Sequence, residues 1–428
     1  SSGSGSILTQ TSYKNYGRFV ETVTDERGKV TTYDYSTSTG LLNYVKDANN
    51  NQTRYKYNIF KALTDVFADI DKDGVADSDE AKVSYVYDNN RNLTQIVTRT
   101  STYNLSYDSF GNVSAITVGS SSTPLVSYTY ANYNGKLTRT DYANGTYVEN
   151  VYDALDRTKE IKYNGTVRYS VTYDKSGSVS SIYDHENEIE YLYEYDRLGR
   201  LIRYYEAEDG VVRTVSAEQY DNKGRTSKVT YKNDGYDARQ TSYSYDNKGR
   251  LSNISLPSNE TTFLSYDTFG RQYLRSYYRN AQFVMGVTNG YESNSFSGSY
   301  HTSSTVNNIT YNFYKNNTSQ NYNYAYYDNG NIWYVRDGIT FIASYQYDAL
   351  NQLTREYNNE IGRNYQYEYD LGGNITSVKT YNGSTLLNTD TYSYTDTNWK
   401  DKLTAYNGIT ITYVALGNPL SYYNGSSY

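Results

Sequence analysis

The residues best equipped for chemistry stand between positions 69 and 80, which read Asp-Ile-Asp-Lys-Asp-Gly-Val-Ala-Asp-Ser-Asp-Glu. This fits the calcium-loop pattern D-x-D-x-D-G, completed by a Glu at the twelfth position. Ca²⁺ takes about six to eight oxygens, drawn from carboxylates, a backbone carbonyl and a bidentate Glu, with Gly where the loop turns sharply. The candidate ligands are Asp69, Asp71, Asp73, the Val75 carbonyl, Asp77 (directly or through water) and Glu80, with Gly74 at the turn. So many carboxylates on one short loop repel one another unless a cation sits among them. A solvated acidic hairpin tip is the bland alternative. Ca²⁺ is the cofactor expected, with the structural task of stiffening an insertion.

Little else suggests a reaction. The chain has two histidines and no cysteine. His185, in Asp184-His185-Glu186-Asn187-Glu188-Ile189, starts like a zinc-binding H-E-x-x-H, but Ile189 occupies the place of the second His. It reads as a turn residue. His301 lies in a Ser/Asn-rich stretch with no acid or nucleophile suitably spaced. Without Cys there is no thiol catalysis, Cys-based zinc site, iron–sulfur cluster or disulfide. A net charge of −7 and a pI near 5.1 argue against a nucleic-acid surface. No apolar run reaches the roughly 18 residues of a membrane span. No enzymatic activity is expected. Sequons such as Asn112-Val113-Ser114 and Asn374-Ile375-Thr376 read as turn chemistry.

The elements that must position the loop come from a repeat. Tyr-Asp or a close variant begins at Tyr33, Tyr57, Tyr87, Tyr107, Tyr130, Tyr152, Tyr173, Tyr195, Tyr220, Tyr245, Tyr266, Tyr327, Tyr347, Tyr369, Tyr394 and Tyr413, with most gaps 19 to 25 residues. The acidic loop fills a longer gap after Tyr57, and the gap after Tyr266 has room for worn units. Tyr191, Tyr193 and Tyr195 alternate, so they share one face of a strand. Asp196 can cap the turn that follows, and Gly199, Gly249 and Gly372 or Gly373 can supply its positive φ. Each unit is therefore a strand, a tight turn and a second strand. With 58 tyrosines, 10 phenylalanines and three prolines, the chain suits a long ladder that packs ring against ring. The expected fold is all-β, a hairpin solenoid over residues 7–428. A set of ordinary β-sandwiches would need aliphatic alternate positions. The opening SSGSGS, residues 1–6, reads as a linker or cloning scar. Residues about 280–320 lack the turn grammar and are expected to be the least regular.

The phrase Tyr195-Asp196-Arg197-Leu198-Gly199-Arg200-Leu201, and its copy from Tyr245 to Leu251, resembles the YD repeat of RHS proteins, teneurins and the Tc-toxin cocoon. The resemblance implies a β-strip spiralling into a hollow shell. In bacteria it implies a structural container for a C-terminal toxin or effector of the same parent chain, a polymorphic toxin that is secreted or at the cell surface. The Asn- and Lys-rich, Cys-free character is closer to the Gram-positive, wall-associated forms. The last unit departs, with Val414 in place of Asp, and the family's self-cleaving motif is not found. The rival reading is a module whose tyrosines bind cell-surface carbohydrate in adhesion.

Overall fold

Alternating tyrosines, an Asp and a Gly make the same hairpin again and again. In the unit at the middle of the chain, strand Ile189–Tyr195 runs antiparallel to Leu201–Glu208, with Tyr193 directly opposite Tyr204. Asp196 Oδ1 accepts the backbone N–H groups of Leu198 (2.8 Å) and Arg200 (3.0 Å). Gly199 closes the turn at φ +76°, a conformation that costs glycine little. A register shift then falls between Glu194 and Tyr195, leaving an extra residue on the returning strand. Such a bulge strengthens twist and stops the ladder from slipping. The same shift precedes Tyr57, Tyr87, Tyr173, Tyr220, Tyr245, Tyr266, Tyr347 and Tyr369.

This computed structural model describes residues 6–208, 211–233, 235–296, 299–414 and 418–421. They form 37 strands and, among the described residues, no helix. Thirty-five strands belong to one sheet; the short strands Thr412–Tyr413 and Pro419–Ser421 pair with each other. The buried apolar side chains are Phe67, Ala68, Val118, Ala207, Ala343 and Ile411, far too few for a conventional core. Stability must come from lateral contacts within the sheet. The chain divides into two compact units: one comprises the described residues up to Val126, Asn289–Thr310 and those from Gln320 onward, and the other comprises Ser127–Thr288 with Tyr311–Ser319.

Three expectations are corrected. The turn near the start follows Tyr35, not Tyr33: the register shift lies between Asp34 and Tyr35, and Ser36 opens the turn. Asp34 stays in the strand, held by Lys14 (3.0 Å) and Asn43 (2.9 Å). Likewise the register shift falls between Ala325 and Tyr326, so Tyr326 ends its strand and Tyr327 takes the turn position usually held by Asp. The stretch expected to be least regular contains Gln282–Phe296 and Ser299–Phe313, at 15 residues each the longest strands described. Losing the turn residues removed the punctuation that elsewhere cuts strands short.

Candidate functional site

The first functional geometry is the link from one repeat to the next. Arg225 Nε donates to Asp221 Oδ2 at 2.8 Å, and its guanidinium lies 4.1 Å from the ring centroid of Tyr245 in the following repeat. The Tyr245 hydroxyl reaches back to the carbonyl of Thr226, beside the bulge, at 2.7 Å. Asp, Arg and the next Tyr thus form a staple that combines a charged hydrogen bond, a cation–π contact and a neutral hydrogen bond. The set recurs as Asp153–Arg157–Tyr173, Asp196–Arg200–Tyr220 and Asp246–Arg250–Tyr266. Where Asn replaces Arg, as in Asp88–Asn92–Tyr107, the hydroxyl link to Leu93 persists at 2.7 Å. The Arg side chain holds Asp221 down at about 2, well below the usual carboxylate value. Sequence reasoning gave the Asp and Gly their turn roles but missed the roles of the Arg and the hydroxyl; the Arg four residues after Asp153, Asp196, Asp221 and Asp246 was the available signal.

The second feature is a seam inside the first unit, where early turns meet late ones. Arg27 donates to the carbonyls of Tyr327 (3.1 Å) and Asp328 (2.7 Å). Asp401 accepts from Thr100 Oγ1 (2.6 Å), Tyr103 OH (2.8 Å) and Asn374 Nδ2 (3.3 Å). Trp399 Nε1 donates to Tyr103 OH at 3.2 Å. Ser120 Oγ donates to Asn398 Oδ1 at 2.8 Å, and the backbone of Asn398 lies so near Gly119 that an added Cβ would come within 2.5 Å of its oxygen. Apart from the Asn374–Asp401 bond, these contacts join residues 278 to 301 apart in sequence. Burial pushes the Asp401 carboxyl up, but the Thr100, Tyr103 and Asn374 donors outweigh it and hold the group below its ordinary value.

The acidic loop joins the paired strands Leu63–Ala68 and Lys82–Tyr87. Carboxylate oxygens of Asp69, Asp71 and Asp73 lie within 4.8 Å of one another. Asp69 is fully buried: Oδ2 accepts from Gln52 (2.6 Å) and Arg54 (2.6 Å), and Oδ1 from the Gly74 N–H (3.1 Å). Glu80, also buried, accepts the N–H groups of Ile70 (2.6 Å) and Asp77 (3.1 Å) and is not part of the cluster. The structure thus brings together three of the expected carboxylate ligands, and the carboxylates of Asp77 and Glu80 are not in that group. Desolvation, and then the charges of Asp73, Asp71, Glu80 and Asp79, push the Asp77 carboxyl up. The donor set, all hard oxygens around concentrated negative charge, fits a divalent hard cation.

Comparison with known proteins accounts for the repeat. The sequence matches the Teneurin YD-shell family over residues 65–288. The chain belongs to that family. A second match, to the RHS Repeat, covers residues 347–386. The fold is similar to the crystal structure of TcdB2-TccC3-Cdc42, with a TM-score of 0.60 and 14% identity over 91% of this chain and 22% of that one. It is similar also to TcdB2-TccC3 without its hypervariable C-terminal region, with a TM-score of 0.61 and 14% identity over 92% of this chain and 24% of that one. The YD-shell chain therefore spans about a quarter or less of the length of these structures. No curated protein matches it.

On this YD-shell sheet the two histidines differ: His185 contacts its own hairpin, whereas His301 meets a residue 295 positions away. His185 Nε2 lies 2.8 Å from Ser170 Oγ, and its ring meets Tyr183 edge-on at 4.7 Å. Buried His301 lies 2.9 Å through Nδ1 from Ser6 Oγ, where the two residues form an isolated bridge. Ser6, read from sequence as linker, is thus the first residue seen to join the sheet.

Proposed function

We propose that this YD-shell segment is wall material: part of a shell that encloses a toxin or effector carried by the same parent chain, in a secreted or cell-surface bacterial RHS protein. The observation that carries the reading is the seam, because a strip whose early and late turns lock together can close a surface, which an open ribbon cannot. The staples support it, since they propagate order along the strip without an apolar core. A wall that is polar and Tyr-rich offers enclosed cargo little apolar surface on which to collapse. The crystal structure of TcdB2-TccC3 lacking a hypervariable C-terminal region supports the idea that in that protein a variable segment goes with such a fold. We assign the segment no catalysis: turn carboxylates such as Asp153, Asp196, Asp221 and Asp246 are paired with arginines and serve the staples, and two histidines leave little for general acid–base work.

Within the wall we propose a structural Ca²⁺ in the loop at 69–80. Asp69, Asp71 and Asp73 would hold it, with Val75, Asp77 and Glu80 completing the set, and the ion would neutralise their mutual repulsion. The rival reading, adhesion to carbohydrate, would use tyrosines such as Tyr357, Tyr365 and Tyr381, which line a cavity of about 240 Å³ with Arg355 and Gln366. The test is to express the natural protein that carries this segment, intact and with several repeats deleted, and to treat both with protease. A cargo protected only by intact repeats supports the wall. Equal digestion defeats it, and specific binding on a glycan array would then favour adhesion.

A further inference from the structure

Two pairs of tyrosines share a geometry that the staples do not need. Tyr193 and Tyr204 sit directly opposite each other on neighbouring strands, with ring centroids 5.5 Å apart and planes tilted by 46°. Tyr392 and Tyr406 do the same, at 5.2 Å and 53°. In each pair one phenol hydrogen-bonds to a carboxylate: Tyr204 donates to Glu206 Oε1 at 2.6 Å, and Tyr406 to Asp390 Oδ1 at 2.8 Å. A carboxylate acceptor opposes loss of the proton to solvent, and that bond, with burial, pushes the Tyr406 hydroxyl up to about 12. The same carboxylate favours loss of an electron, because it can take the proton as the electron leaves. The chain has no Cys, one Met and two Trp, so few softer side chains compete for an oxidant.

We propose that Tyr193–Tyr204 and Tyr392–Tyr406 are dityrosine cross-linking sites for one-electron oxidants of the peroxidase class. The oxidant removes one electron from Tyr204, and the phenolic proton passes to Glu206. Tyr193 loses an electron to a second oxidant equivalent and its proton to water. The two radicals couple through one new bond between ring carbons ortho to the hydroxyls. As the rings regain aromaticity, each ortho hydrogen is replaced by a proton on the phenol oxygen. The net loss is two electrons and two protons, with peroxide reduced to water. Tyr406 and Asp390 act in the same way on Tyr392. The covalent bond would tie adjacent strands irreversibly, hardening the sheet in an oxidising setting.

Two other pairs serve as internal controls. Tyr327 and Tyr347 have centroids 6.0 Å apart at 90°, and the Tyr327 hydroxyl donates to the carbonyl of Tyr345 rather than to a carboxylate. Tyr163 and Tyr169 stand edge-on at 6.4 Å. The experiment treats the chain with horseradish-type peroxidase and hydrogen peroxide, and maps linked peptides by mass spectrometry. The expected result is intrachain linkage of Tyr193 to Tyr204 and of Tyr392 to Tyr406, well above either control pair. Glu206→Gln should lower only the first product, and Tyr204→Phe should abolish it while the second remains as evidence of a folded chain. Linkage spread evenly over all four pairs, no linkage, or a Tyr193–Tyr204 yield unchanged in Glu206→Gln would overturn the proposal.

Discussion

At the scale of single residues, the staple makes separable predictions. Tyr245→Phe keeps the ring beside Arg225 and loses only the hydroxyl bond to Thr226. A neutral hydrogen bond of this kind contributes about 1 kcal/mol. Native-state hydrogen exchange should show roughly fivefold faster opening of the amides around Thr226, with distant repeats unchanged. Tyr245→Ala, which removes the cation–π contact as well, should be clearly worse. The Asp–Arg part of the staple is pH-dependent. Asp221 is held at about 2, below its ordinary 3.8. Its contribution is therefore complete above the ordinary value and lost as pH falls through the folded one. Arg157 and Arg200 hold Asp153 and Asp196 down in the same way. Acid titration followed by circular dichroism should show loss of stability concentrated below about pH 4. Asp221→Asn should flatten part of that slope.

At the scale of the element, each hairpin depends on its turn. An added Cβ at Gly199 would meet nothing within 4 Å, so Gly199→Ala should cost only the left-handed backbone penalty, about 1–2 kcal/mol, read as a local rise in exchange. The hairpin was legible in the sequence because its causes are local: alternate tyrosines, an Asp that caps and a Gly that turns. The misplacements at Tyr33 and Tyr327 have a physical reason too. Tyr33-Asp34-Tyr35 and Tyr326-Tyr327-Asp328 each offer two tyrosines that could end the strand, and the choice is made by the bulge, which leaves no mark in composition. The acidic loop was legible as a motif, whereas Gln52 and Arg54, which anchor Asp69 from the neighbouring strand Gln52–Tyr57, were not. Chelation should open a new protease site between Ala68 and Ala81 and leave other cuts unchanged, and Asp71→Ala should reproduce it. Digestion that is the same with and without chelator would count against the ion.

At the scale of the whole molecule, the wall rests on contacts that no local pattern announces. The seam links residues about 300 positions apart, and some of its partners, such as Thr100 and Asp401, belong to no recurring phrase. Gly119 is its most sensitive point. It combines φ +59° with the backbone of Asn398, which cannot swing aside as a side chain would. Gly119→Ala should therefore part the seam, where Gly199→Ala only loosens a turn. In a Trp333→Phe background, the fluorescence of Trp399, which donates to Tyr103 across the seam, should shift to the red in Gly119→Ala and stay unchanged in Gly199→Ala. The most direct test of the wall joins this substitution to the cargo. In the natural full-length protein, the rate at which protease cuts the enclosed segment is compared between the wild-type chain and Gly119→Ala. The account predicts slow cutting in the wild type and fast cutting once the seam is parted, with the repeats themselves still resistant. Equal rates in the two proteins would contradict it.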